Sequence, residues 1–208
     1  MDVALLGGSF NPPHLGHLLA AHVVRALEPV DQVWFVPAAH HPFGKPLIDF
    51  GHRMAMCELM CRDASGWLAT SDIEASLGGD GYTVDTLRAL HRRWPDRRWT
   101  LVVGSDIVAE LPRWREPEEI RRLARIVVLN RAGHPAPGAI GPPLAKVSST
   151  EVRAALAAGR GGEGLVHREV LAYIEKLGRF WKMDGGALRK WPEMIREGRH
   201  PNFAMNLY

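Results

Sequence analysis

Short apolar runs that alternate with segments of helical periodicity restrict the fold of this 208-residue chain more than any other feature. The predicted strands lie at 3–6, 33–36, 99–103, 126–129 and 146–147, and the predicted helices at 15–27, 53–60, 83–94, 150–158 and 169–177. Strands alternating with helices indicate βαβ units. We therefore expect an α/β fold, a Rossmann-like doubly wound parallel sheet with helices on both faces in three α/β/α layers. Such sheets bind ligands beyond the carboxyl ends of their strands, where the strand order reverses.

One domain and a short extension account for the chain. The sequence has no internal repeat, and the stretch 132–143, rich in Gly, Pro and Ala, is typical of a loop too short to separate domains. We predict a domain over 1–181 and a C-terminal extension over 182–208 that is not a separate domain. The extension has a short helical pattern near 191–196. It either packs on the domain or a partner chain, or forms a loosely ordered tail.

A phosphate-binding turn is predicted directly after the first strand. Two glycines there allow a sharp turn and a close approach of the backbone to a ligand. The first helix then begins, and a helix amino end presents unpaired N–H groups and a positive dipole, which favour phosphate. His14 and His17 are three residues apart, so both imidazoles lie on one face of that amino end. Such a pair can also bind a metal, but no nearby carboxylate or third ligand completes a metal site.

The turn has neither the Gly-Lys-Ser/Thr of a Walker loop nor the G-x-G-x-x-G of a dinucleotide site. The stretch His14-Leu15-Gly16-His17 instead resembles the H-x-G-H motif of the nucleotidylyltransferase superfamily. The longer string Gly-Gly-Ser-Phe-Asn-Pro-Pro-His resembles the nicotinate/nicotinamide mononucleotide adenylyltransferase family, which usually has Thr and Asp at positions 9 and 11. The resemblance implies that His14 and His17 are catalytic. It also implies substrate contacts at Gly7, Gly8, Ser9 and Phe10.

A second anion site is predicted at the start of the helix that follows the last predicted strand. Ser148 and Glu151 fit a capping box, and hydroxyls, backbone amides and Arg153 at a helix amino end favour an anion. The segment resembles the superfamily's I-S-S-T-x-I-R motif, which implies that Ser148, Ser149, Thr150 and Arg153 grip the ATP phosphates. Two such helix starts suit a triphosphate, one for the reacting α-phosphate and one for the departing pyrophosphate.

Segments in the middle of the chain resemble the family's pyridine-nucleotide and adenosine contacts. The resemblance implies substrate contacts for Tyr82 and Thr83 (S-Y-T-x-D-T-L), Gly104 and Asp106 (G-x-D), Trp114, Arg131 and Lys45. In the family the Trp stacks on the pyridine ring, and a flat aromatic on a loop suits a flat heterocycle. The alternative for Trp114 is packing alone. Lys45 either reaches the triphosphate or is a surface charge, and Arg131 has either a phosphate or a structural role.

The resemblance covers about residues 1–181 and implies an adenylyltransferase of NAD biosynthesis. Such an enzyme joins nicotinate mononucleotide, or also nicotinamide mononucleotide, to the AMP part of ATP and releases pyrophosphate, giving deamido-NAD or NAD. Mg²⁺ would bind mainly through the ATP phosphates, with few direct protein ligands. The chain departs from the family pattern in the loop 40–45, in the segment 161–167 and beyond residue 182.

Three alternatives stay open on the sequence alone. A sister transferase would act on another phosphate such as phosphopantetheine, but the Tyr82 and Trp114 segments match the pyridine-nucleotide branch. A non-catalytic nucleotide-binding protein would not be expected to keep both histidines and Arg153 intact. Nucleic-acid binding through the arginine doublets at 92–93 and 121–122 is disfavoured, because such doublets are typical of solvated helix faces.

The bulk composition fits these expectations. A net charge of +3 and a pI of about 9.1 are milder than the clustered charge of a dedicated nucleic-acid binder. Cys57 and Cys61 lack a zinc pattern and are predicted to be core residues. The N-terminus does not resemble a signal peptide, and no window approaches the roughly 18 apolar residues of a membrane span. We predict a cytoplasmic protein without membrane or nucleic-acid partners. The oligomeric state stays open on the sequence alone, and the aromatic residues of the tail are compatible with a homo-oligomer.

Overall fold

Six strands form one parallel sheet in the part of the chain that the computed structural model describes, residues 1–39, 47–78, 81–162 and 164–183. The strands are β1 (Asp2–Gly8), β2 (Gln32–Pro37), β3 (Leu68–Thr70), β4 (Arg98–Gly104), β5 (Arg125–Arg131) and β6 (Ile140–Leu144). Their order across the sheet is β3-β2-β1-β4-β5-β6, and every neighbouring pair is parallel. The chain therefore places β2 and β3 on one side of β1, and then places β4, β5 and β6 on the other side. This order confirms the doubly wound sheet that the sequence predicts.

Seven α-helices and one 3₁₀ helix (Val108–Arg113) connect or follow the strands in the same described residues. The α-helices are α1 (Leu15–Leu27), α2 (Phe50–Cys61), α3 (Ile73–Leu77), α4 (Thr83–Arg93), α5 (Pro117–Leu123), α6 (Ser149–Ala157) and α7 (Arg168–Met183). Side chains are described up to residue 177. None of the helices within these ranges is long and apolar enough to cross a membrane. The domain boundary at residue 181 stays a prediction, and the helical pattern near 191–196 lies outside the described residues.

Two hydrophobic clusters cover the two faces of the sheet. On β2, Val33 and Phe35 belong to one cluster, and Trp34 and Val36 belong to the other, because successive strand residues point to opposite faces. The first cluster contains buried residues of α1, α2, α6 and α7, and the second contains buried residues of α3, α4, α5 and the 3₁₀ helix. The three-layer α/β/α architecture is thus confirmed.

Both cysteines lie on α2, where the sequence predicts core residues. Cys57 is fully buried in the first cluster, and Cys61 is half-buried and packs against it. Burial raises the pKa of the Cys57 thiol well above its ordinary value and that of Cys61 to about 12. Both thiols therefore stay protonated and behave as small apolar side chains.

The position of the last strand differs from the prediction. No strand forms at 146–147, and β6 instead occupies Ile140–Leu144, the first four residues of which belong to the stretch 132–143 that was predicted to be a loop. Pro142 and Pro143 cannot donate hydrogen bonds to a sheet, so the segment has the composition of a loop. It is tolerated because β6 is an edge strand that pairs only with β5, across a register shift between Leu129 and Arg131. The three-residue β3 and the short helices α3 and α5 were not predicted, because they span too few residues to show a period.

The buried face of α4 is expected to contribute more to stability than the exposed face of α1. Leu87 is fully buried and Leu19 is 47% exposed. We expect Leu87→Ala to lower the free energy of unfolding by about 2–5 kcal/mol, because it removes apolar contacts and leaves a cavity. Leu19→Ala should change it by no more than about 0.5 kcal/mol. Urea denaturation of both variants measures the two values, and equal losses would contradict this assignment of the core.

Candidate active site

The turn after β1 lies where the strand order reverses. β1 is flanked by β2 on one side and by β4 on the other, so the chain runs away from β1 in both directions. Gly7 and Gly8 are the last two residues of β1, and α1 begins at Leu15. A Cβ on Gly7 would meet no atom of the described residues within 4 Å, which leaves space beside the strand end for a ligand. The predicted phosphate turn therefore opens into the crevice that doubly wound sheets use for binding.

The two predicted catalytic histidines lie in contact at the start of α1. Their ring centroids are 3.8 Å apart. The backbone N–H of His14, the N-cap residue, donates to Nδ1 of His17 over 3.1 Å. Because Nδ1 of His17 accepts this bond, a neutral His17 ring carries its proton on Nε2. His14 is only 6% exposed, and its Nδ1 has no hydrogen-bond partner among the described residues.

Both imidazoles are held neutral by their surroundings. Burial, followed by the nearby charge of Arg131, lowers the pKa of His14 to about 4. Burial also lowers the pKa of His17 well below its ordinary value, with smaller contributions from His14 and Arg131. Each ring can thus donate one N–H to a phosphate oxygen near neutral pH without carrying a formal charge of its own.

Gly16 leaves room for the His14 ring. A Cβ at this position would lie 3.0 Å from Nδ1 and 3.1 Å from Cε1 of His14, which is tighter than ordinary packing. Phe10, fully buried, supports the other ring, since its centroid lies 4.5 Å from that of His17 and 5.1 Å from that of Phe35. Phe10 has a positive φ of 46°, which few side chains adopt. The glycine and the aromatic ring together set where the two imidazoles lie.

The second predicted anion site adjoins the first. Ser148 caps α6 in a capping box with Glu151, as predicted, with the Glu151 N–H donating to the Ser148 hydroxyl over 3.2 Å. The Ser149 hydroxyl donates to the carbonyl of Pro12 over 2.8 Å, and Arg153 donates to the carbonyl of Asn11. These bonds join the amino end of α6 to the turn that precedes α1. Two segments more than a hundred residues apart in sequence thus form one site.

Arg153 and Asn11, both in predicted site segments, make hydrogen bonds that hold neighbouring segments together. Arg153 donates to the carbonyl of Asn11 and, over 3.2 Å, to the hydroxyl of Thr150. Asn11 is 3% exposed, and its side-chain oxygen accepts from the N–H of Ile48 over 3.4 Å. The Asn11 side chain, at the position where the family usually has Asp, therefore acts as a buried hydrogen-bond acceptor for the backbone N–H of Ile48.

The turn after β4 brings Gly104, Asp106 and Arg131 together. A Cβ on Gly104 would lie 2.2 Å from an oxygen of Asp106 and 3.0 Å from Cδ of Arg131, so any larger residue here would displace the Asp106 carboxylate. Nε of Arg131 lies 3.7 Å from the Asp106 carboxylate, and its backbone N–H donates to the Ser105 hydroxyl over 2.9 Å. Arg131 is the last residue of β5, and its charge contributes to the lowered pKa of His14 and of His17.

The residues predicted to contact the pyridine ring lie around the start of α4. Tyr82 is the N-cap of α4 and is 37% exposed, and Thr83 is its first helical residue. The guanidinium of Arg115 lies 4.8 Å from the centre of the Tyr82 ring. Trp114 is half-buried and packs against the second cluster, so part of its ring stays accessible. Lys45, the remaining predicted contact, lies outside the described residues.

Two charged residues near the site lie outside the predicted set of site residues. Arg53 is 1% exposed and donates to the carbonyls of Ile48, Ser9 and Ala38. Glu74, on α3, accepts from the N–H of Ala39 and from the hydroxyl of Thr86. A single Glu in a five-residue helix has no sequence signal that could identify it.

The described residues contain no group of three His, Cys, Asp or Glu side chains that could hold a metal ion. The carboxylates near the site are instead separate from one another. Asp106 faces Arg131, and Glu151 belongs to the cap of α6.

Comparison with known proteins assigns the family. The family model described as cytidylyltransferase-like matches residues 5–155. A Myxococcus xanthus protein named "Probable nicotinate-nucleotide adenylyltransferase" is 52% identical over 180 residues, which cover 86% of this chain and 95% of that protein. A Gemmatimonas aurantiaca protein of the same name is 33% identical over 203 residues, 90% of this chain and 96% of that one. This chain belongs to the nicotinate-nucleotide adenylyltransferase family.

A solved structure supports the fold of this family member. The Plasmodium falciparum nicotinic acid mononucleotide adenylyltransferase in complex with NaAD matches with a TM-score of 0.69 and 20% identity. The match covers 85% of this chain and 96% of that one. At this identity the likeness concerns the arrangement of strands and helices.

Replacing Gly16 is expected to impair ATP binding while leaving the fold intact. Gly16 lies in the first turn of α1, where the helix propensity gained with alanine is offset by the close contact with the His14 ring, so Gly16→Ala should change the free energy of unfolding by no more than about 1 kcal/mol. Its Cβ would displace the His14 ring, and we expect ATP affinity to fall roughly tenfold, because small misplacements of binding groups are costly. Titration calorimetry with ATP measures this. Arg25→Ala, an exposed change on the same helix, should bind like the wild type. Normal ATP affinity in Gly16→Ala would contradict the role given to the glycine.

The buried histidines should make the protein less stable in mild acid. The pKa of His14 is about 4 in the folded state and near 6.5 in the unfolded chain. The unfolded state therefore binds more protons as the pH falls from 6.5 towards 4, so the free energy of unfolding decreases over that window. Between pH 7.5 and 5 the His14 contribution should fall by about 2 kcal/mol.

Urea denaturation of the wild type and of His14→Asn at both pH values tests this. The variant has no ring to protonate, so its stability should depend less on pH. The same pH dependence in both proteins would rule out a buried neutral His14.

Proposed function

We propose that this protein transfers the AMP part of ATP to nicotinate mononucleotide, releasing pyrophosphate and forming deamido-NAD in NAD biosynthesis. One observation carries the proposal: the amino ends of α1 and α6 are joined at the point where the strand order reverses. The bond between the Ser149 hydroxyl and the Pro12 carbonyl measures 2.8 Å, and the contacting rings of His14 and His17 lie at the start of α1, which follows Pro12 in the chain. Relatives that are 52% and 33% identical to this chain are named for the same activity.

The reaction needs positioning and charge stabilisation rather than a protein nucleophile. An oxygen of the mononucleotide 5′-phosphate attacks the α-phosphorus of ATP. The bond between that phosphorus and the oxygen bridging to the β-phosphate breaks, and pyrophosphate leaves with the bonding electrons. His14 and His17, held neutral by burial, donate N–H groups to the α-phosphate oxygens as their negative charge grows.

We infer that the pyrophosphate is held by backbone N–H groups of α6 and by Arg153, rather than by the Ser149 hydroxyl. That hydroxyl already donates its proton to Pro12. The first N–H groups of a helix have no partner within the helix. Arg153 has five N–H donors, and its bonds to Asn11 and Thr150 leave others free for phosphate oxygens.

Magnesium would enter with the nucleotide. Isolated carboxylates such as Asp106 fit an ion that is bound chiefly through ATP phosphates and not in a dedicated protein cage. When bound, the ion supplies neutralisation of the phosphate charge. The protein's own residues orient the two substrates. A cytoplasmic location stays a prediction from the sequence, and the oligomeric state stays open.

Pyrophosphate release with ATP, Mg²⁺ and each candidate acceptor tests the proposal. We expect turnover with nicotinate mononucleotide to exceed that with nicotinamide mononucleotide. Replacing His17 by Ala should lower turnover by about 10²–10³-fold, because a donor to the developing phosphate charge is lost. His22→Ala, an exposed histidine on the same helix, serves as the matched control and should keep normal turnover.

Each other outcome has a definite meaning. Comparable turnover with both mononucleotides would keep the reaction and indicate a permissive ring pocket. Turnover only with phosphopantetheine would assign a sister transferase. A folded His17→Ala protein with normal turnover would overturn the role given to the histidine pair.

A further inference from the structure

Two residues of opposite charge hold the same short stretch of backbone at the end of β2. Arg53 donates to the carbonyl of Ala38 over 2.7 Å and lies 3.5 Å from that of Ala39. Glu74 accepts from the N–H of Ala39 over 3.2 Å. The stretch Ala38–Ala39 is thus bonded on its carbonyl side by a buried cation and on its N–H side by a carboxylate. Hydrogen bonds to charged groups are stronger than those between neutral groups.

Each charged residue also bonds a second part of the site. The Arg53 guanidinium donates over 3.0 Å to the carbonyl of Ser9, in the phosphate turn after β1. The other carboxylate oxygen of Glu74 accepts over 3.1 Å from the hydroxyl of Thr86, in the first turn of α4. The sequence of contacts Ser9–Arg53–Ala39–Glu74–Thr86 therefore crosses the carboxyl edge of the sheet, from the phosphate turn to the helix that begins after Tyr82.

Glu74 is the member of this series of contacts that lies next to the expected pyridine site. It lines a groove with Ala39, Tyr82 and Asp85, next to the expected pyridine site. Burial raises the pKa of the Glu74 carboxyl, against the lowering effect of its bonds to Ala39 and Thr86. The carboxylate is thus partly removed from water, where losing an acceptor leaves its donors poorly satisfied. By contrast, none of the described hydrogen bonds of His14, His17 and Arg153 involves a member of the series Ser9–Arg53–Ala39–Glu74–Thr86.

We propose that Glu74 is a positioning residue for the mononucleotide: by holding Ala39 and Thr86 together, it fixes the start of α4 relative to the phosphate turn. The inference rests on the proposed function, because it assigns the α4 start to the mononucleotide and the α1 and α6 ends to ATP. Glu74 touches neither reacting group. Its loss should therefore weaken binding of one substrate and leave the binding of the other nearly unchanged.

Steady-state kinetics of Glu74→Ala test the proposal. We expect the KM for nicotinate mononucleotide to rise about tenfold, as expected when hydrogen bonds to a charged group are lost. The KM for ATP should change less than about twofold. Glu74→Gln keeps an acceptor for Ala39, and the Thr86 hydroxyl can turn to accept from the amide, so this variant should restore most of the affinity. Glu118→Ala removes a carboxylate that is 84% exposed and should leave both KM values unchanged.

Thr86→Val provides a second variant of nearly unchanged shape. It removes the donor to Glu74 and should raise the KM for the mononucleotide in the same direction. Because both residues act through one bond, the double variant Glu74→Ala/Thr86→Val should show less than the product of the two single effects. Equal increases in both KM values, or independent effects of the two changes, would indicate a merely structural role and overturn the proposal.

Hydrogen exchange separates failure of this proposal from failure of the proposed function. The Ala39 amide should exchange faster in Glu74→Ala than in the wild type or Glu74→Gln, whatever the substrate. If the wild type has no turnover with nicotinate mononucleotide, the proposed function fails, while this exchange result still reports on the contacts. An unchanged exchange rate of the Ala39 amide would disprove that Glu74 holds Ala39 and Thr86 together. Faster exchange with an unchanged KM for the mononucleotide would disprove that Glu74 positions this substrate.

Discussion

The docking of α6 on the turn after β1 is the contact on which the rest of the site depends. The Ser149 hydroxyl and the Arg153 guanidinium bond the carbonyls of Pro12 and Asn11, across separations of 137 and 142 residues. Without these bonds the two helix amino ends would be separate, weak anion sites. With them, the two helix amino ends form one continuous surface. A buried carbonyl needs a partner, so the same bonds also satisfy the backbone of the turn.

Burial of the two histidines keeps their rings neutral while leaving them able to donate N–H groups. The His14 ring contacts that of His17 and has little access to water, and its pKa of about 4 reflects this burial. Neutral N–H donors cost less to bury than charged ones. The glycine between the two histidines follows from the same packing, since a Cβ there would press on the His14 ring. The spacing of the motif is thus a packing requirement as well as a chemical one.

The Arg53 and Glu74 contacts extend this arrangement to the opposite side of the crevice. A buried guanidinium is stable only where several acceptors surround it, and three carbonyls from different segments do so here. One of them belongs to the phosphate turn. The turn after β1, the end of β2 and the start of α4 are therefore linked by one series of hydrogen bonds, while exposed ion pairs such as Arg121–Glu118 contribute little.

The sequence by itself determined the features that depend on neighbouring residues. Apolar periodicity placed the helix at Leu15–Leu27 and most of the strands, Ser148 and Glu151 predicted their capping box, and the spacing of His14 and His17 predicted their shared face. These patterns are local, so a short window of sequence contains them. Only the tertiary structure decided that β6 lies in a proline-rich stretch at a sheet edge, that α6 docks on the β1 turn, and that Glu74 reaches Ala39 and Thr86. Each of these depends on contacts between distant segments and on the removal of water around them, which no local pattern encodes.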